Sequence, residues 1–389
     1  MNGLLETIVA AVEKERERLV TISQQILARP ELGHEEKFAS KLQMDYLAAN
    51  GFEVTANFGG LATAFTAKAG TGKPKIAVFS EYDALPQLGH ACGHHLITLS
   101  ALAAAVGIKA VLEKFGLEGT VELVGSPAEE ALGGKVDLIR AGVLDDIDFA
   151  LITHPFDATN TDPGDLAVGR YDVIYHGKAA HAAVSPELGI NALDAQVLLL
   201  NAVALWRQQL PSTSRVHGTI TNGGGLPNVI PEYTSSFFYV RSVDNRVQKA
   251  MEQRFEDIAK GAALMTGCRL ELNKYPNSYA ANKDVPELDE LSRECAEAAG
   301  FKLSPIIRKI STDFADVTLR APGVNLFFDV VGDGSEVSLH SEKFLEYAGK
   351  PFAFDQALRA GSATALCAAR LFTEPELRNK VRAGFDAGF

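Results

Sequence analysis

The sequence has few of the features that mark disulfide-rich, membrane-spanning or nucleic-acid-binding proteins. It contains four cysteines in 389 residues, which is too few for a disulfide framework in a chain of this length. No apolar run reaches the ~18 residues that a membrane span needs. Acidic residues (49) outnumber basic ones (37), and the net charge of −12 disfavours nucleic acid or an anionic membrane as a partner. We therefore expect a cytoplasmic protein with neither partner.

What remains is the composition of an ordinary folded protein. Hydrophobic residues make up 47% of the chain and charged residues 22%, which excludes a disordered chain. At one domain per ~150 residues, the length allows roughly two to three domains. Residues 4–28 combine apolar positions at helical spacing with acidic residues. This pattern predicts an amphipathic helix rather than a signal peptide.

Strands and helices alternate in the N-terminal half of the chain. Buried strands are predicted at 75–80, 120–125 and 149–153, with a helix at about 94–113 and a further helix before the third strand. This order is typical of an open α/β sheet with mostly parallel strands. In such sheets, sites form in the loops beyond the carboxyl ends of the strands.

The middle of the chain has a different pattern. Between residues 169 and 273, half-exposed strands and two helices follow the order β-α-β-β-α-β, which is that of a split-βαβ domain. The α/β pattern returns after residue 280. We predict a large α/β domain formed by residues 1–168 and 281–389, with a small α+β domain, residues 169–280, inserted into it.

Polar side chains follow the first two predicted strands of the large domain. Cys92 and His94 lie in the loop after the first strand, and thiolate with imidazole is a good pair for zinc or a similar ion. A buried cysteine beside a helix-capping histidine would give the same pattern. Glu129 and Glu130 follow the second strand, where one can ligate a metal while the other handles protons. Ser126 with Glu129 also fits a helix capping box.

Two histidines are weaker candidates. His154 lies at the end of the third predicted strand, and His340 lies in the C-terminal half of the chain. Either of them alone is as compatible with a structural role as with metal binding. The carboxyl ends of three strands would nevertheless offer Cys/His, Glu/Glu and His side chains at one edge of the sheet.

Together these clusters resemble the M20 family of metallopeptidases and amidohydrolases, and most of all its amidohydrolase branch. That branch includes aminoacylases, aminobenzoyl-glutamate hydrolases and cytosolic β-alanyl-dipeptidases. The resemblance covers nearly the whole chain, and the segments that carry it are RPELGHEE (29–36), EYDALPQLGHACGHHL (81–96), GSPAEE (125–130), GKAAH (177–181), NVIP (228–231), STD (311–313) and the segment around His340. The usual His-x-Asp-x-x-Pro motif is altered, because Glu81 stands in the place of its histidine while Asp83 and Pro86 remain.

The resemblance implies a zinc-peptidase-like α/β catalytic domain with an inserted ferredoxin-like domain. It implies two divalent ions per chain, which could be zinc, manganese or cobalt, with Cys92 as a bridge. The implied ligands are Cys92, His94, Glu130, His154 and His340. Glu129 would be the general base, and Asp83 would either orient a ligand histidine or cap the loop.

In the inserted domain, the resemblance implies a homodimer formed through edge strands and helices. His181 would reach the active site of the neighbouring chain, and its alternative role is to cap the helix that starts near residue 190. Asn228 or Arg241 would bind a substrate carboxylate, because a guanidinium matches a carboxylate with two hydrogen bonds. An arginine on a β-surface is also typical of a solvated strand.

We therefore expect a metal-dependent amidohydrolase. It would cleave the amide bond of a small molecule, either an N-acyl amino acid or an aminobenzoyl-glutamate-like substrate. A dipeptidase that acts on unblocked dipeptides would use the same machinery and is the first alternative. The second is a catalytically silent, metal-containing binding protein, against which the presence of Glu129 and all five ligand candidates counts.

Overall fold

The computed structural model of the chain describes residues 2–161, 166–305 and 310–387. The chain separates into two compact units. The large unit comprises Met1–Pro163 and Lys283–Phe389, and the small unit comprises Gly164–Asn282. The small unit is thus continuous in sequence and interrupts the large one.

The described residues form helices and strands as follows. The helices are α1 (Asn2–Ala28), α2 (Lys37–Ala49), α3 (His94–Phe115), α4 (Glu129–Leu132), α5 (Gly134–Arg140), α6 (Ala192–Trp206), α7 (Asn245–Thr266), α8 (Pro286–Ala298), α9 (Phe314–Thr318), α10 (Glu342–Ala348), α11 (Pro351–Thr373) and α12 (Pro375–Ala387). The strands are β1 (Glu53–Ala56), β2 (Phe65–Thr71), β3 (Lys75–Glu81), β4 (Gly119–Ser126), β5 (Phe149–Phe156), β6 (Asn160–Thr161), β7 (Ala167–His176), β8 (Arg215–Asn222), β9 (Tyr233–Ser242), β10 (Arg269–Lys274) and β11 (Gly323–Asp329).

The large unit is built on one seven-stranded sheet with the order β1-β2-β4-β3-β5-β11-β6. Its four central strands, β4, β3, β5 and β11, run parallel. The remaining strands, β1, β2 and β6, are antiparallel additions at the two margins. The parallel centre was predicted from the alternation of strands and helices, whereas the antiparallel margins were not.

Three of these central strands, β3, β4 and β5, are almost continuously buried, which explains why they are mostly apolar, although β4 includes the buried Glu122. Helix α3 packs against these strands and against α1 and α11. Gly361 of α11 permits this approach, because a Cβ atom there would lie 2.5 Å from the carbonyl oxygen of Ser100. Within the described residues, α3 alone has the length and apolarity to cross a membrane, but 83% of that apolar stretch is buried, as in a core helix.

The small unit is a four-stranded antiparallel sheet with two helices. The strand order is β10-β7-β9-β8, and the elements follow the predicted sequence β-α-β-β-α-β. Alternate residues of β7 and β9, among them Tyr171, Val173 and Phe238, form a core with α6 and α7. Asn191 caps α6 through a hydrogen bond from the amide of Leu193.

Candidate metal centre

The first ligand loop runs from the end of β3 to the start of α3. It carries Cys92, and α3 begins at His94. Gly93 between them has a φ of 80°, and a Cβ atom there would lie 2.6 Å from Cγ of Pro155. A glycine therefore lets the loop turn tightly and approach the end of β5, which carries His154.

The five predicted ligands lie together in the large unit. Cys92 is common to two groups of potential ligands, one with His94 and His154 and the other with Glu130 and His340. The Cys92 Sγ atom lies 3.6 Å from Nε2 of His154 and 3.3 Å from Nε2 of His340. The Glu130 carboxylate lies 3.4 Å from Nε2 of His340 and 3.7 Å from Nε2 of His94.

Hydrogen bonds fix the orientation of two of the histidines. His94 donates from Nδ1 to Oδ1 of Asp83 at 2.9 Å, because a carboxylate can only accept. His154 donates from Nδ1 to the carbonyl oxygen of Pro155 at 2.8 Å. In the neutral form of each imidazole, Nε2 therefore keeps a lone pair that points into the cluster. Despite burial, Asp83 and Cys92 raise the pKa of His94, so this histidine must lose a proton when it binds a metal. The Nδ1 bond of His94 also shows that this histidine does not cap α3, which is capped by Gly93 without a side-chain bond.

His340 reaches the cluster from the C-terminal part of the large unit. Its backbone adopts a φ of 59°, an unusual conformation for a residue with a Cβ atom. Its amide donates to the carbonyl oxygen of Ala91 at 3.1 Å, next to Cys92. Strained backbone of this kind occurs where the surrounding structure holds a functional side chain in place.

Glu129 is buried at the start of α4, close to His94 and Glu130. The capping-box interpretation of this residue is wrong. Strand β4 continues through Ser126, and the Ser126 hydroxyl makes no hydrogen bond within the described residues. Glu129 is therefore not part of a capping box with Ser126.

A buried carboxylate from a distant segment holds the turn before Glu129. Ala128 adopts a φ of 60°, and its amide donates to Oε1 of Glu36 at 2.8 Å. The other oxygen of Glu36 accepts a hydrogen bond from Thr63 at 2.8 Å. On the other side of the turn, the amide of Glu130 donates to Oδ2 of Asp83 at 3.0 Å. Asp83 therefore connects the two ligand loops.

Burial and charge set the protonation of the site. Burial raises the pKa of Glu129 well above its ordinary value, and Glu81 and Asp313 raise it further. Burial, together with Glu130, also raises the pKa of the Cys92 thiol. Burial lowers the pKa of His154 to about 4, so its imidazole is neutral at pH 7 and able to bind a metal. A bound cation would favour the ionised forms of the thiol and the carboxylates.

The donor set fits divalent metal ions. Ligand atoms lie about 2.0–2.3 Å from zinc, so neighbouring corners of a tetrahedron are about 3.3–3.7 Å apart. The four ligand–ligand distances given above, from 3.3 to 3.7 Å, fall in that range. In the described part of the chain, Nε2 of His94 and Oε1 of Glu130 are buried without a hydrogen-bond partner. Buried polar atoms are rarely left in this state unless an ion or water binds them.

Two features of the site were missed by sequence reasoning. One is Glu36, which lies in the RPELGHEE segment but for which the sequence predicted no role. The other is Lys135, a fully buried residue whose ammonium group lies between Glu81 and Asp313. The Ser-Thr-Asp segment that contains Asp313 indicated that this carboxylate has a role. The sequence alone does not show that Lys135 is the cation that pairs with it.

The residues predicted to contact substrate belong to the small unit. His181 is exposed, and its segment pairs with the Asn228 segment through a bond from the amide of Ala182 to the carbonyl oxygen of Asn228 at 2.9 Å. Because Asn191 caps α6, the capping role considered for His181 is wrong. Arg241 lies elsewhere, on the sheet, where its Nε contacts Nε2 of His217 at 3.3 Å.

Residues 77–353 match the sequence profile of the peptidase family M20/M25/M40. The chain belongs to this family. It is 35% identical to the Xaa-Arg dipeptidase of Mus musculus, in an alignment that covers 96% of this chain and 90% of the relative. It is 37% identical to one of the subunits of the p-aminobenzoyl-glutamate hydrolase of Escherichia coli strain K12, over 73% of this chain and 64% of the relative.

A solved structure of an M20 family member has the same fold. A dinuclear metal-binding peptidase from Bacillus subtilis matches with a TM-score of 0.67 at 21% identity, over 92% of this chain and 99% of the other. These comparisons confirm the predicted family and fold class. This M20 family member is accordingly a metal-dependent amidohydrolase or peptidase.

Proposed function

We propose that this M20 family member hydrolyses the amide bond of an N-acyl amino acid or an aminobenzoyl-glutamate-like small molecule, with Glu129 as general base. The observation that carries the proposal is the position of buried Glu129 beside His94 and Glu130, whose Nε2 and Oε1 atoms have no hydrogen-bond partner among the described residues. The relative from the p-aminobenzoyl-glutamate hydrolase, at 37% identity, supports the substrate class.

Five side chains would hold two divalent ions: Cys92, His94, Glu130, His154 and His340. The sharing of Cys92 between two ligand groups supports two ions with the thiolate between them. Thiolate and imidazole ligands favour zinc, whereas the carboxylate leaves manganese and cobalt open. When bound, such ions lower the pKa of a water molecule and polarise the substrate carbonyl.

The protein groups would manage the proton and the substrate. Glu129 would accept the proton of the attacking water and return it to the departing amine. Its burial among carboxylates raises its pKa, and a bound cation would favour the ionised form that accepts a proton. His181 would donate a hydrogen bond to the developing oxyanion. Asn228 or Arg241 would bind a carboxylate of the substrate.

The metal requirement gives a direct test. Protein purified without chelator should contain about two divalent ions per chain, as measured by inductively coupled plasma mass spectrometry. Dialysis against a chelator should abolish amide hydrolysis, and added zinc, manganese or cobalt should restore it. Metal affinity should fall as the pH is lowered, because thiolate and imidazole ligands must be deprotonated to bind. Full activity in a metal-free preparation would disprove the proposal.

Dipeptidase activity on unblocked dipeptides is the second candidate function. It is favoured by the Xaa-Arg dipeptidase, whose alignment covers 96% of this chain. A panel that pairs each N-acyl amino acid with the dipeptide of the same C-terminal residue separates the two activities by kcat/KM. We expect higher values for the blocked substrates, and the reverse order would favour the dipeptidase. If metal-loaded protein hydrolyses none of the substrates in the panel, the result would favour a catalytically silent binding protein.

We also propose that the protein is a cytoplasmic homodimer. The cytoplasm is supported by the four cysteines, all of which are buried and free. A dimer through the small unit is supported by the open edge of β8 and by exposed apolar residues of α6, of which Leu205 is 75% exposed. Pairing across a two-fold axis would cover both features.

A further inference from the structure

Lys135 lies beside the candidate metal centre and is fully buried. Its Nζ atom is 2.6 Å from Oε1 of Glu81 and 2.5 Å from Oδ1 of Asp313. Its backbone amide also donates to Oδ2 of Asp313 at 2.9 Å. The lysine is therefore fixed at both its backbone and its side chain, and Glu81 is the second carboxylate that its charge compensates.

Glu81 occupies a position from which it could bind metal. Its Oε2 atom lies 3.6 Å from Nε2 of His94, while Oε1 of the ligand Glu130 lies 3.7 Å from the same nitrogen. Both carboxylates thus reach the ligand atom of His94 at distances typical of neighbouring ligands. What separates them is the ammonium group, which lies 2.6 Å from Oε1 of Glu81 and is not paired with Glu130 in the described contacts. Oε2 of Glu81 faces His94 without a hydrogen-bond partner among the described residues, so the ion pair restrains this carboxylate through its other oxygen.

Protein stability alone does not explain the presence of a buried ion pair of this kind. Removing two charges from water costs about as much as their attraction returns, and apolar replacements are often as stable. A lysine between two carboxylates does, however, restrict the positions that the carboxylates can adopt and the cations that they can bind. Glu81 gives one oxygen to a fixed cation and is thereby a weaker ligand for a second one.

We propose that Lys135 is a positioning residue of the metal centre, which holds Glu81 in an ion pair and so keeps this carboxylate out of the metal coordination. The inference rests on the proposed metal centre. It explains how Glu81 can stand where the family's usual motif has a ligand histidine without adding a second carboxylate to the ligands. If the ion pair is removed, Glu81 becomes free to bind metal.

Cobalt(II) titration of the chelator-treated protein tests this inference. The visible absorption of cobalt(II) weakens as its coordination number rises, and a thiolate charge-transfer band reports Cys92. In Lys135→Met/Asp313→Asn, we expect weaker visible absorption and, from the added carboxylate ligand, a dissociation constant for cobalt(II) about tenfold lower than in the wild type, which corresponds to about 1.4 kcal/mol. Adding Glu81→Gln should restore the wild-type spectrum and affinity.

Asp313→Asn is the matched control, since it neutralises one carboxylate but keeps the pair between Lys135 and Glu81. Its cobalt(II) spectrum should equal that of the wild type. A wild-type spectrum in the double variant, or an altered spectrum that Glu81→Gln does not reverse, would overturn the inference. If the double variant does not fold, Glu81→Gln alone remains decisive, because a changed spectrum would mean that Glu81 is already a ligand and an unchanged one supports the inference.

The two proposals fail in different ways. If the wild-type protein takes up no cobalt(II), the metal centre itself is wrong. If the wild type binds cobalt(II) and only the variants fail to respond, the role of Lys135 is wrong and the metal centre stands.

Discussion

Glu129→Gln should retain its metal ions and lose about 10²–10⁴-fold in kcat, the usual contribution of a general base. The amide of glutamine has nearly the shape of the carboxylate but cannot accept a proton from water. Because Glu129 is not one of the five proposed ligands, the substitution should leave the ligand set intact. Metal content by mass spectrometry and steady-state kinetics on the same preparation provide the measurement.

Glu130→Ala is the matched control for the adjacent carboxylate. Glu130 lies within 3.7 Å of the ligand nitrogens of both His94 and His340, so its removal should lower metal occupancy first and activity as a consequence. Excess metal should then recover part of the activity of Glu130→Ala and none of that of Glu129→Gln. Near-normal turnover in Glu129→Gln would place the base elsewhere in the site.

The sequence predicted the structure best in segments whose composition is set by one property, such as burial of a strand on both faces. Strands buried on both faces are mostly apolar, and β3, β4 and β5 were located by that property. The polar residues that follow such strands must then lie at one edge of the sheet. Cys92, Glu129 and His154 were therefore expected near one another, and the structure brings them into one cluster.

The sequence was less informative where the outcome depends on contacts between distant segments. Strands β1 and β2 are short or partly exposed and lie at the margin of the sheet, so no continuous apolar run marks them. The capping box at Ser126 satisfied every local rule, but pairing of β4 with β3 extends the strand through that residue. Tertiary pairing thus overrode a valid local signal.

The same limit applies to the charged groups that surround the site. Nothing local marks Lys135 as buried, since its segment begins with two glycines and continues as an ordinary amphipathic turn. It is buried because Glu81 and Asp313, which are 232 residues apart (313 − 81), meet at its ammonium group. The role of Glu36 was hidden for the same reason. It accepts a hydrogen bond from the amide of Ala128, a residue far from it in the sequence. Such partners become visible only when the chain is folded.

His181→Ala and Glu129→Gln, each inactive alone, should recover activity when mixed under conditions that exchange subunits. The five ligand candidates belong to the large unit, whereas His181 belongs to the small unit and is exposed there. If His181 acts in the partner's site, one site of the mixed dimer carries both substitutions and the other carries neither. The heterodimer should then reach up to about half of the wild-type activity, as the two-fold symmetry requires.

The result separates action in the partner's site from action within one chain. If His181 acts within its own chain, each site of the heterodimer keeps one lesion, and the mixture stays inactive. Asn191→Ala is a suitable control, since it removes the cap of α6 and should lower stability without creating a complementation pair. Sedimentation analysis should show a dimer, which substitution of exposed Leu205 by a charged residue should weaken. An active protein that remains monomeric at assay concentration would refute the shared site, because no partner would then supply the histidine.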